Sequence, residues 1–84
     1  MRLGEVEKAI NWAKRAHAID PDDPGVLYNM ACIYSLAGKI EQALDCFETA
    51  IQSGFASLEW IDSDLDLDPI RDQPRFQKAL KKLN

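Results

Sequence analysis

Residues 24–55 read PGVLYNMACIYSLAGKIEQALDCFETAIQSGF, two apolar-patterned runs separated by Ala-Gly-Lys. In the first run Leu27, Met30, Ala31 and Tyr34 recur at steps of three and four, which places them on one helical face. Gly38 stops that helix. In the second run Ile40, Ala43, Leu44, Phe47, Ala50 and Ile51 follow the same stepping, and Gly54 stops it in turn after Ser53. Two such faces can bury one another. Ala31, Ala43 and Ala50 carry little bulk, so the two backbones can approach closely at those points. Upstream, Asp20, Pro21, Asp22, Asp23 and Pro24 form a turn in which Asp23 is the natural N-cap. Pro24 then takes the first helical position, where its missing N–H costs nothing.

The spacing of Leu27, Met30, Ala31, Tyr34, Gly38, Ala43, Phe47 and Ala50 resembles the tetratricopeptide repeat. Leu27 stands where that pattern has Trp, and Phe55 where it has a closing Pro. Residues 4–21 resemble the second helix of a preceding repeat: Gly4, Ala9 and Ala16 precede Gly38, Ala43 and Ala50 by one 34-residue period, and Pro21 closes it. That helix has Val6, Ala9, Ile10, Ala13 and Ala16 on its apolar side. The resemblance implies an all-α, antiparallel helix-turn-helix superhelical fragment of about one and a half repeats with C-terminal capping helices. The single domain 1–84 then divides into an incomplete repeat (4–21), a full repeat (24–55) and a cap (56–84).

Past Gly54, Ser57 can cap a short helix holding Leu58, Trp60 and Ile61. Asp62, Asp64, Asp66 and Asp68 alternate with Ser63, Leu65 and Leu67, a pattern that suits an extended segment with one apolar side. Pro69 starts a turn through Ile70 and Arg71. Pro74 opens a last helix with Phe76, Leu80 and Leu83 facing inward and Lys78, Lys81 and Lys82 near its C-terminal end, where they favour the helix dipole. Residues 66–76 loosely resemble the segment that closes tetratricopeptide arrays in some multidomain signalling proteins. The expected core is Leu27, Met30, Tyr34, Leu44, Phe47 and Ile51, joined by Ile10, Trp60 and Phe76.

The chain has 84 residues, 46% of them hydrophobic, and a net charge of −4, which bounds it to one small domain. No apolar run reaches the roughly 18 residues of a membrane span, and the first residues form no secretory leader, so the expected location is cytoplasmic. Charge is unevenly spread. Residues 20–68 hold one basic and eleven acidic groups, whereas residues 69–84 hold five basic and one acidic. So acidic a middle section repels a phosphate backbone and argues against nucleic-acid binding.

Cys32 and Cys46 make no disulfide framework and are expected to be free thiols filling small packing sites. The aspartate series superficially resembles a calcium loop. Counted from Asp62, however, Leu67 and Gln73 stand where Gly and the bidentate Glu belong, and counted from Asp64 those places hold Pro69 and Arg75. His17 has no zinc-type spacing to the cysteines. No phosphate loop, nucleophile elbow or acid–base pair is present in the sequence, so neither enzyme activity nor a cofactor or metal is expected.

Protein recognition remains. In tetratricopeptide arrays the first helix of each repeat lines the concave surface that receives a peptide or partner, which implies Gly25, Tyr28, Asn29, Cys32 and Ser35 here. Of these, Tyr28, Asn29, Cys32 and Ser35 are the expected partner-binding residues. Tyr28 joins a rigid ring to a polar tip, and Asn29 can both donate and accept. The basic clamp for a C-terminal carboxylate is missing, since residues 24–36 hold no Lys or Arg. The expected role is a protein-interaction scaffold; the alternative is a structural end cap or self-association segment with no peptide ligand. A weak homodimer through Val6, Ile10 and Ala13 would cover the face left without its first helix.

Overall fold

The computed structural model describes residues 3–83, with side chains from Gly4 onward; the extreme N-terminal residues read above for a leader, and Asn84 of the expected cap, lie outside that range. Helices α1 (Leu3–Ile19), α2 (Pro24–Leu36) and α3 (Ile40–Gln52) follow in antiparallel order, α2 packing against both neighbours. Then come α4 (Leu58–Ser63), a 3-10 turn (Leu65–Leu67), α5 (Asp68–Arg71) and α6 (Pro74–Lys81). No strand occurs among the described residues.

The boundaries have the expected chemistry. The Asp23 carboxylate accepts from the Gly25 and Val26 amides, with Pro24 opening α2. At the other end the Gly38 amide donates to Ser35 and the Lys39 amide to Tyr34; after α3 the Gly54 amide donates to Ile51 and that of Phe55 to Ala50. Both are Schellman closures, which place the glycines at φ +76° and +115°.

Leu27, Ala31, Ala43, Leu44, Phe47, Ala50 and Ile51 form the seam between α2 and α3. Over it close Ile61, Leu67, Ile70, Phe76 and Ala79 from the C-terminal segments. Phe76 stacks on Phe47 at 4.4 Å between ring centroids. Arg75, the residue before Phe76, reaches across to Glu41, Asp45 and Glu48, acids on one face of α3.

Three expectations change. Residues 62–68 are not extended: the Asp64 carboxylate accepts from the Asp66 amide and caps a 3-10 turn that runs into α5, where Pro69 fits the first turn. Trp60 lies outside the core, 62% exposed, while its neighbour Ile61 is fully buried; α4 is too short for its apolar spacing to fix a face. Ile10 and Tyr34 are only half-buried, Tyr34 against the rim of the core.

Candidate functional site

The residues expected to meet a partner lie on α2, on the side turned away from α3. Between Pro24 and Leu36 no residue is charged, so α2 is apolar on nearly every side, the pattern of a helix covered all round. What covers the second side is the chain itself. The 3-10 turn and α5 pack against α2. The Tyr28 hydroxyl donates to Asp64 Oδ2 at 2.7 Å, and the Cys32 thiol donates to the same oxygen at 3.5 Å. Phe55, which replaces the usual closing Pro, stacks on the Tyr28 ring at 4.2 Å with the planes 6° apart.

This arrangement redistributes the four expected partner-binding residues. Tyr28, Cys32 and Ser35 are 3%, 7% and 1% exposed. All three are therefore buried within the fold, Tyr28 and Cys32 against Asp64. Asn29, one position beyond Tyr28, stays exposed. Ser35 is buried without a hydrogen-bond partner for its hydroxyl. The sequence reading missed Asp64 as the group that fills this face; the uncharged run of α2 was the available signal that something must.

Burial and the adjacent carboxylates set the chemistry. Burial first, then the charge of Asp64, pushes the Cys32 thiol up to about 12, and burial pushes Cys46 up to about 11. Burial, followed by the hydrogen bond to Asp64, holds the Tyr28 phenol protonated far into the alkaline range. Cys32, Asp64 and Asp66 can bring one ligand atom each within 4.8 Å of one another. In this fold the thiol is a donor to Asp64, in one hydrogen-bonded network with the Tyr28 hydroxyl and the Asp66 amide. Both cysteines are free.

Arg71 holds the covering segment in shape. Its guanidinium donates to the backbone oxygens of Ile61 and Asp64 and to the Asp68 carboxylate, and lies 5.8 Å from the centre of the Phe76 ring. The end of α4, the 3-10 turn and α5 are thus tied by one side chain.

On α1, Val6 and Ala13 are buried, at 6% and 1% exposure, so two of the three residues expected to pair two copies are already covered within one chain. Ala9 and Ile10 are half-buried, and Trp12 and Ile19 stand 60% and 86% exposed. No helix among the described residues is long and apolar enough to cross a membrane.

The tetratricopeptide repeat family matches residues 24–52. A chloroplastic protein of Arabidopsis thaliana is 34% identical over 65 residues, or 76% of this chain. The chain spans about a fifth (19%) of that relative's length. No solved structure matches. The all-helical fold, the antiparallel α2–α3 pair in the repeat's register and the glycine closures at both helix ends agree with the family match, so residues 24–52 form a tetratricopeptide-type repeat.

Proposed function

We propose that this chain is the closing unit of a protein-interaction scaffold: its C-terminal segment seals the repeat, and the open side of α1 receives the first helix of a preceding repeat. One comparison within the molecule carries this reading. Ala43 and Ala50 on α3 are 0% exposed beneath their first helix α2, whereas Ala9 and Ala16, one repeat earlier on α1, are only half-buried. Small residues are needed where a neighbouring backbone comes close. Ala9, Trp12, Ala16 and Ile19 recur at steps of three and four, so they form one stripe beside the buried Val6 and Ala13. The opposite end is closed by Phe76, Ile70 and Leu67, each fully buried. A concave-face ligand would meet Asn29 first and reach Tyr28 and Cys32 only by displacing Asp64 and the turn that carries it.

The test is to place a copy of residues 24–37 directly before Gly4, which reproduces the register of α2 before Gly38. In a Trp60→Phe background the Trp12 emission should move to shorter wavelength. The melting temperature should rise by about 5 °C for each kcal/mol the new contact supplies. An unmoved Trp12 emission with an unchanged melting temperature would overturn the proposal. A sedimentation-derived mass that rises with concentration, and returns to one chain on Trp12→Glu, would give the stripe to a second copy instead.

A further inference from the structure

The cap carries a surface of its own. Ser57, Glu59, Trp60, Ser63, Asp64 and Leu65 line an open groove of about 640 Å3 along α4 and the start of the 3-10 turn. Its two large apolar side chains are solvent-facing, Trp60 at 62% and Leu65 at 77% exposure. Neither supports the fold. Ile61 beside Trp60, and Leu67 two residues after Leu65, fill the core instead, and both are fully buried.

The electrostatics of this groove have one sign. Glu59 and Asp64 are its ionisable lining residues, with Asp62 and Asp66 adjoining them in sequence. The nearby cation of the cap, Arg71, is directed at the carbonyls of Ile61 and Asp64 and at Asp68. Asp64 already accepts hydrogen bonds at both carboxylate oxygens, so it contributes field more than a free acceptor. Glu59 is exposed.

We propose that this groove docks a protein segment in which an Arg or Lys stands next to an apolar residue. A cation over the indole of Trp60 gains from the ring's negative face and from Glu59 beside it, while its methylene stem lies along the ring. Leu65 receives the apolar neighbour. Charge complementarity selects against acidic partners and against nucleic acid. This deepens the reading of the chain as an interaction module and rests on it, but it uses a face separate from the α1 stripe.

The experiment uses the Trp12→Phe protein, which leaves Trp60 as its single indole, titrated with two synthetic peptides, one alternating Arg and Leu and one alternating Glu and Leu. The Arg–Leu peptide should shift the Trp60 emission saturably and move backbone amide resonances within residues 57–66; the Glu–Leu peptide should do neither. Glu59→Lys should weaken binding about ten-fold, the scale of one cation–π contact with its supporting charge, and added salt should weaken it further. Both Glu59 and Trp60 are exposed, so Glu59→Lys and Trp60→Ala keep the fold, checked by circular dichroism. Absence of saturable binding would overturn the proposal. So would binding that ignores Glu59→Lys and Trp60→Ala, or resonance shifts centred on the acids of α3. The fused-helix result stands apart from these outcomes, so the groove and the closing-unit reading fail separately.

Discussion

Asp64 is the residue on which the covered face of α2 turns. Its carboxylate takes the Tyr28 hydroxyl and the Cys32 thiol on one oxygen and the Asp66 amide on the other. Tyr28→Phe keeps the stack on Phe55 and removes only the hydroxyl, so it should cost about 1–2 kcal/mol in denaturant unfolding; no measurable loss would mean that this contact does not hold the segment down. Ser35→Ala should go the other way, neutral or stabilising by up to about 1 kcal/mol, because it removes a buried hydroxyl that has no partner. The thiols make stability depend on alkaline pH. Above the ordinary thiol value of 9.0 the unfolded chain loses the Cys32 proton, while the folded chain keeps it up to about 12. The native state then binds more protons, so stability falls as pH rises through that window. Cys46 and Tyr28 act in the same direction. Unfolding midpoints measured from neutral to alkaline pH should fall, and Cys32→Ala should flatten the slope.

Between elements, α6 is docked onto α3 by one aromatic stack and one cation. Phe47→Ala removes both the centre of the α2–α3 seam and the partner of Phe76, and should cost about 3–5 kcal/mol. A loss below about 1 kcal/mol would contradict the register of both helices. Arg75 sits among Glu41, Asp45 and Glu48, which repeat along one face of α3 and repel one another without it. Arg75→Glu should therefore lower the melting temperature and reverse its response to salt. Glu48 shows the matching pH effect: the hydrogen bond from Arg75 holds its carboxyl below the usual range, so its stabilising share is lost as pH falls through that lowered value. The Schellman closures after α2 and α3 were legible because glycine alone reaches those φ values without strain. The face of α4 was not, because with so few residues Trp60 and Ile61 satisfy the pattern equally.

For the molecule as a whole, a radius of gyration of 11.9 Å is close to the roughly 12 Å of a compact chain this long, so the C-terminal segment is folded back onto the repeat. A chain truncated after Gly54 loses Ile61, Leu67, Ile70 and Phe76, all fully buried. It should expose Leu44, Phe47 and the Tyr28 face, bind a hydrophobic dye and lose sharp amide resonances. A truncated chain that stays monomeric with dispersed resonances would show the cap to be a separate appendage. The acidic run that argues against nucleic acid divides between two uses in the tertiary structure. Glu41, Asp45 and Glu48 receive Arg75, whereas Glu59 and Asp64 line the α4 groove.

The amino-acid sequence by itself determined the helical repeat of residues 24–52, its closing glycines and the N-cap at Asp23. Each of these is written in local spacing: apolar steps of three and four, a residue type that tolerates positive φ, a carboxylate before a proline. Only the tertiary structure decided that Tyr28, Cys32 and Ser35 are covered, that Asp64 is what Tyr28 and Cys32 meet, and that Trp60 is left in solvent. Those outcomes depend on contacts between residues more than 30 positions apart, such as Tyr28 with Asp64, and a face that must be buried does not specify which segment will bury it.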